Sequence, residues 1–334
     1  MRTLVLGGTV FLGRHVAAEA LARGHELTLF TRGRHGADLF PEATHLRGDR
    51  AGDLTALEQG EWDIVVDTSG RRSADVAASA RLLADRAGHY VFVSSVNAHP
   101  DWPERPVDEE SSTWQTGDDD YGAQKAAAER AAEAAMPGRV AAVRAGCIAG
   151  PHDNVFRLPW WVRRIAAGGD VLAPGDPAQP VQLVDARDLA AWMLDLGERR
   201  VGGAFCATAP AGPTTMGDVM EAAVRATGSG ARLVWAPDAL LAESGLEPWV
   251  QVPLWLPAAE FPGTWRIGTA RAEAAGLRFR PIAETVADVW AWLRDGGADE
   301  LGEWGAENRA TGIPPVRERE LLARLGSGGR PSPS

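Results

Sequence analysis

The opening residues constrain the fold more than any other part of this chain. A short apolar run, Thr3 to Leu6, passes directly into Gly7-Gly8-Thr9-Val10-Phe11-Leu12-Gly13, and a helical pattern runs on from Leu12 to Arg23. Glycines between a strand and a helix permit a tight turn. They also let backbone approach a pyrophosphate, which sits where the amides of a helix N-terminus point outward. A glycine-rich turn can equally be a plain connection, and its place right after the first strand is what points to a nucleotide. Gly7, Gly8, Thr9, Phe11, Leu12 and Gly13 are therefore the expected dinucleotide contacts.

The alternation continues downstream. Glu26 to Phe30, His45 to Arg47, Ile64 to Val66, Tyr90 to Val93 and Val140 to Arg144 read as strands, with helical patterns at Ala74 to Arg86 and Tyr121 to Ala135. Short apolar strands alternating with helices imply a parallel sheet covered on both faces. Right-handed crossovers then give an α/β, Rossmann-type doubly wound sheet. Residues 1–150 are expected to form this dinucleotide-binding domain. Past Gly150 the texture changes, with Trp160, Trp161, Trp249, Trp255 and Trp265 set among frequent prolines. Residues 151–325 read mainly as a smaller C-terminal substrate-binding domain. Within them, 181–200 is expected to return to the main sheet, as a strand at Val181 to Val184 and a helix at Arg187 to Leu196. The tail 326–334 (GSGGRPSPS) has the Gly/Ser/Pro composition of disordered chain.

The residues after the second strand bear on which dinucleotide is bound. A site for NAD carries an acid at that strand's end for the ribose 2′-hydroxyl. Here the strand runs into Phe30-Thr31-Arg32-Gly33-Arg34. Two arginines suit a 2′-phosphate, which they grip through several donors, so NADP(H) is expected over NAD(H). The plainer reading is a solvated loop in an arginine-rich chain. Asp49, past the third strand, is placed as a partner for the adenine amino group.

Lys125 is the sole lysine, and Tyr121 is one of two tyrosines, the other being Tyr90. Residues four apart share a helix face, so the Tyr121 hydroxyl and the Lys125 ammonium can converge. A free tyrosine, with a pKa near ~10, exchanges protons poorly at neutral pH. A neighbouring ammonium favours the phenolate and makes it a usable acid or base. Ser95, ending Val91-Phe92-Val93-Ser94-Ser95, is placed to orient a carbonyl, with Ser94 turned to the opposite face by strand alternation. Asp118 to Asp120 are candidate caps for the helix that opens at Tyr121. Without chemistry, Tyr121 would be a surface-packed aromatic and Lys125 a solvated charge.

Other residues could face a substrate. His99 lies four residues past Ser95, Cys147 stands at a strand end, and His152 and Asp153 come directly after Gly150-Pro151. Trp160, Trp161, Trp249 and Trp255, set among prolines, suggest an apolar, aromatic-lined pocket. Arg163 and Arg164 serve either a phosphate or a solvated helix face, and His15 reads as a packing residue. Histidines, cysteines and acids do not fall at metal-ligand spacing. The net charge of −11 argues against nucleic acid or an anionic membrane as partner. Two cysteines make no disulfide framework. No apolar run approaches the ~20 residues of a membrane span, and MRTLVLGG lacks a signal-peptide layout. A cytoplasmic protein with a small-molecule substrate is expected.

The residues that carry a family resemblance extend over nearly the whole chain. They are the GGTxFLG turn, the VFVSS strand end, YGxxKxxxE at Tyr121, Gly122, Lys125 and Glu129, and RAGCIAGP at Arg144 to Pro151. Val184-Asp185-Ala186-Arg187-Asp188-Leu189-Ala190 and the stretch Thr269 to Trp292 complete the set. The chain resembles the extended short-chain dehydrogenase/reductases, the NAD-dependent epimerase/dehydratase family that includes the sugar-nucleotide enzymes. The resemblance implies a nicotinamide cofactor, Tyr121 as proton donor or acceptor, Lys125 on the nicotinamide ribose and Ser95 on the carbonyl. It also implies a homodimer built on a four-helix interface.

Three positions depart from the family pattern. Val10 replaces the usual middle glycine, and Cys147-Ile148 and Phe205-Cys206-Ala207 replace asparagines common in the sugar-nucleotide enzymes. The valine variant looks like a subgroup that also contains chloroplast stem-loop RNA-binding proteins. The expected function is an NADPH-dependent reductase of a small, largely apolar carbonyl or cyclic compound. The alternatives are an NAD-dependent sugar-nucleotide epimerase or dehydratase, and a non-redox dinucleotide sensor or RNA-binding module.

Overall fold

A computed structural model describes residues 1–116, 120–299 and 311–327. The first half alternates as the pattern predicts: β1 (Arg2–Leu6), α1 (Leu12–Ala22), β2 (Glu26–Thr31), β3 (Thr44–Arg47), β4 (Trp62–Asp67), α2 (Ser73–Leu83), β5 (Ala87–Ser95), α3 (Tyr121–Ala135) and β6 (Val140–Ala145). Next come β7 (Cys147–Ala149), α4 (Arg157–Ala166), β8 (Asp170–Pro174), β9 (Leu183–Asp185), α5 (Ala186–Arg199) and β10 (Gly203–Ala207). The last elements are α6 (Met216–Thr227), β11 (Arg232–Ala236), α7 (Asp238–Glu243), α8 (Ala270–Ala274), α9 (Ile282–Arg294) and α10 (Pro315–Ser327).

Seven strands pair in the order β10-β6-β5-β4-β1-β2-β3, and every pairing is parallel. Side-chain alternation along these strands sorts their apolar residues into two cores. Val5, Leu27, Leu29, Val91 and Val93 pack with Val16 of α1 and Trp192 and Met193 of α5. Leu4, Leu6, Tyr90 and Phe92 pack with Val76 and Leu83 of α2 and Ala128 and Ala132 of α3. Burying each large aliphatic side chain stabilises by about 1.5–3 kcal/mol, so strands apolar on both faces settle only where helices cover both. The sheet is thus the doubly wound α/β arrangement expected. β1 lies between β2 and β4, so the strand order reverses beside it, and the Gly7–Gly13 turn leaves its carboxyl end at the place where such sheets bind ligands.

Two compact units make up the chain. The first comprises 1–148, 183–210 and 266–279, and the second 149–182, 211–265 and 280–334. The strand expected within 181–184 to rejoin the main sheet does not do so. β9 pairs with β7 in a two-stranded sheet, and β10 is the seventh strand of the large one. Only α5 returns, covering the first core. That edge is taken by β10, which pairs with β6 along all five of its residues. The expected disordered tail begins with two helical residues, since α10 runs to Ser327; residues 328–334 lie outside the described residues.

In the second unit α4, α6 and α9 pack against one another, β8 pairs with β11, and α10 lies on β8. α6 begins with a capping box, Thr215 and Asp218 each bonding the other's backbone N–H, and ends at Gly228 in the left-handed conformation. Trp161 is fully buried and its indole N–H donates to Pro253 O (2.7 Å). Trp160 meets it edge to face at 4.7 Å.

Asp153 sits at the turn into α4, 2% exposed, and accepts from the Val155 and Phe156 amides. Burial pushes its carboxyl up from 3.8 to about 6, against the pull of Arg157. A raised folded-state value means that this residue's stabilising contribution is present below about pH 4 and is lost as pH rises through about 6. Asp153→Asn should therefore gain stability relative to the parent as pH rises across that window, by about 2–3 kcal/mol at about 1.4 kcal/mol per pKa unit. Urea unfolding at pH 4, 5, 6 and 7 measures this; a gap that stays constant contradicts it.

Candidate active site

The cradle at the end of β1 is built for a backbone approach. Gly7 and Gly8 have φ of +113° and +101°, and a Cβ on them would stand 2.5 Å from Thr68 Oγ1 and 2.7 Å from the Leu29 side chain. A Cβ on Gly13 would stand 2.7 Å from the Gly8 amide. Glycine is required at all three. Thr9, Val10 and Phe11 are half-buried, and Leu12 and Gly13 are buried in the first turn of α1. No side chain caps α1, and no acid stands in its first turn. That N-terminus fits an anion, and the residues present fit a dinucleotide pyrophosphate.

β2 ends at Thr31 without an acid, and Arg32 and Arg34 are exposed in the loop beyond. A third arginine joins them that the sequence reading placed only in a strand. Arg47 Nη1 donates to Thr31 Oγ1 (2.7 Å), and its guanidinium lies where a Cβ on Gly33 would come within 2.9 Å. β2 and β3 are adjacent in register, Thr31 beside Arg47, which no local pattern reveals. Asp49 spends one carboxylate oxygen on the Ala51 amide in its own turn (3.0 Å).

α3 spans the predicted residues, and Asp120 caps it by accepting from the Gly122 and Ala123 amides; Asp118 and Asp119 lie outside the described residues. Tyr121 is 44% exposed, whereas Lys125, one turn on, is 6% exposed with its Nζ 5.8 Å from the tyrosine ring centroid. Lys125 donates to Gly70 O (2.6 Å) and Val93 O (2.7 Å). Burial depresses its ammonium to about 8, opposed by Asp67 and Glu129 and aided by Arg50. Ser95 Oγ donates to Asn97 Oδ1 (2.8 Å) and accepts from the Asn97 amide. Gly122 lets α3 reach this strand end, because a Cβ there would stand 1.9 Å from Asn97 O.

Two buried polar clusters support this pair, and the sequence reading missed both. Asp67, fully buried at the end of β4, accepts from both terminal nitrogens of Arg50, from the Tyr90 hydroxyl (2.7 Å) and from the Ser69 amide (3.1 Å). Burial pushes its carboxyl up, but Arg50, Tyr90 and Lys125 outweigh that and hold it below the usual range. In the second cluster Ser94 Oγ donates to Glu129 of α3, and the Arg144 guanidinium holds the same carboxylate (2.7 Å). His99 donates from Nδ1 to Ser112 O (3.0 Å), and its Nε2 faces Arg144 (3.4 Å) and the Cys206 thiol (3.7 Å). The only signals in sequence were an acid ending an apolar strand and the Glu129 of YGxxKxxxE.

The expected substrate contacts differ in burial and partners. His99 is 0% exposed, and burial lowers its pKa, so it is a neutral core imidazole rather than a pocket wall. Trp160 and Trp161 fill the interior of the second unit. Cys147 is half-buried in β7. His152 takes a φ of +66° with its ring 5.5 Å from Trp292, and Trp249 stands 5.7 Å from Trp265 with Arg157 over its face. Arg164 pairs with Glu318 (2.8 Å).

Gly122→Ala should cost about 1–3 kcal/mol or more by overpacking against backbone and should lower turnover through displaced Tyr121. Thermal unfolding and steady-state rates check this, and an unchanged midpoint would remove the close approach from the account.

The model for "NAD dependent epimerase/dehydratase family" matches residues 3–205. Chloroplast stem-loop binding protein of 41 kDa b from Arabidopsis thaliana is 26% identical over 212 residues, covering 58% of this chain. The chain matches 54% of that protein's length. Among solved structures, Bordetella bronchiseptica WbmH in complex with NAD+ shares 18% identity at a TM-score of 0.67, covering 89% of this chain and 99% of its own. Human epimerase family protein SDR39U1 (isoform 2) with NADPH shares 20% identity at a TM-score of 0.59, covering 87% and 99%. With the family model matched over more than half its length, and with the glycine cradle and the Tyr121–Lys125 helix in place, the chain belongs to the NAD dependent epimerase/dehydratase family.

Proposed function

We propose that this protein is a cytoplasmic, NADPH-dependent reductase acting on the carbonyl group of a small, largely apolar or cyclic compound. The observation that carries the reading is the pairing on α3 of an exposed Tyr121 with a buried Lys125 whose ammonium is depressed to about 8. Gly7 to Gly13 would hold the pyrophosphate, Arg32 and Arg34 the 2′-phosphate with Arg47 beside them, and Lys125 the nicotinamide ribose. NADPH held there would supply the hydride for the carbonyl carbon. Tyr121 gives its hydroxyl proton to the carbonyl oxygen, and the nearby ammonium stabilises the phenolate left behind. Two of the three N–H donors of Lys125 go to Gly70 O and Val93 O, which fixes its position and leaves the third for the ribose. Ser95 would orient the carbonyl by exchanging its bond to Asn97.

A second reading, an epimerase or dehydratase that keeps NAD bound and returns the hydride to the same substrate, draws support from the family model and the NAD+ complex of WbmH. The stem-loop binding in the plant relative's name belongs to that protein; a net charge of −11 does not favour a nucleic-acid partner here.

Replacing Arg32 and Arg34 together by alanine should weaken NADPH binding about tenfold or more while leaving NADH within about twofold, since each charge-assisted bond contributes at least about 1.5 kcal/mol. Fluorescence titration with both dinucleotides reads this. Equal losses for both would contradict NADP selection, and NAD retained through purification would favour the second reading. Tyr121→Phe should lower kcat by about 10²–10⁴ with dinucleotide affinity nearly unchanged. Lost affinity with normal turnover would contradict the role of Tyr121.

A further inference from the structure

The second unit carries a half-open cavity of about 420 Å³, within the range of small-molecule sites. Every residue lining it belongs to that unit. Its walls carry three indoles, Trp235, Trp255 and Trp265, together with Leu254, and its polar groups include the carboxylates of Asp176 and Asp238. Among the described residues lining it there is no arginine, lysine or histidine. We infer that this cavity binds an organic cation, an alkylammonium or quaternary ammonium group, held against the tryptophan faces and neutralised by the two carboxylates.

The geometry favours a cation over an anion or a neutral ligand. Trp255 and Trp265 are buried, so their orientations are set before any ligand arrives. The Trp255 indole N–H donates to Asp238 Oδ1 (2.8 Å), and the other oxygen of that carboxylate accepts from the Ala258 amide (3.0 Å). An indole whose N–H is held by a carboxylate presents an electron-rich face, and cations are drawn to such faces most strongly where water is excluded. Gly175, at φ +70°, passes so close that a Cβ would stand 3.0 Å from Asp238 Oδ1. Asp176 is an exposed part of the lining, and among the described residues its carboxylate accepts a local bond from the Ala178 amide (2.8 Å). An anion such as a diphosphate would meet two negative charges and no positive one. A neutral apolar group would gain the indole contacts but nothing from the carboxylates. The chain already uses this chemistry next door, where the Arg157 guanidinium lies 4.9 Å from the centroid of Trp249, the neighbour of Trp265.

The inference does not depend on the redox reading, and its test needs no turnover. The full-length protein is titrated at constant ionic strength with choline and with its uncharged isostere 3,3-dimethylbutan-1-ol, following heat and tryptophan fluorescence. Choline should saturate the site, and the alcohol should bind at least about tenfold more weakly, as a desolvated cation–π contact contributes about 2 kcal/mol. Asp176→Asn keeps the local backbone bond and should weaken choline severalfold without moving the unfolding midpoint. Trp235→Leu should abolish saturation. An alcohol that binds as well as choline, absent saturation by choline, or choline binding untouched by either substitution would overturn the proposal.

Discussion

A lysine ammonium that is only 6% exposed must be met by acceptors, and the way Lys125 is met organises the first unit. Its two carbonyl partners belong to the loop after β4 and to β5, so a single side chain ties α3 to two adjacent strands. Asp67 and Glu129 oppose its loss of charge from either side, and each is compensated by an arginine, Arg50 and Arg144. Buried charges of this kind contribute little net stability while paired, yet removing one partner costs about 3–5 kcal/mol. The network is therefore better understood as fixing where α3 sits than as strengthening the fold. What it fixes is the position of Tyr121, one turn away at the exposed end of the same helix.

Much of this unit was legible from the chain because its signals are local. A strand, a glycine turn and a helix succeed one another within the first 22 residues, and α3 runs over the predicted stretch Tyr121–Ala135. Strand alternation is equally local, and it separates the two cores as the doubly wound reading requires. The supports of the site were not legible, since Arg50 and Asp67, or Glu129 and Arg144, are joined only by strand order and helix packing. The same holds for Arg47, which reaches the loop after β2 because β3 is the edge strand beside it.

The second unit was harder to read for a different reason. Tryptophan and proline signal burial without saying on which side of a wall the ring will fall. Trp160 and Trp161, adjacent on α4, went to the interior, while Trp235, absent from the sequence reading, lines the cavity with Trp255 and Trp265. The acid beside an indole at Asp238 and Trp255 is a pairing across seventeen residues, which no local pattern reveals.

On the proposed function, the β1 turn and the α3 pair would serve one dinucleotide. A crystal structure with NADP+ bound tests it most directly. The pyrophosphate is expected on the Gly7–Gly13 turn, the 2′-phosphate beside Arg32 and Arg34, and the nicotinamide ribose on Lys125 with its ring beside Tyr121. A dinucleotide bound with its nicotinamide away from Tyr121, or held elsewhere on the chain, would contradict it.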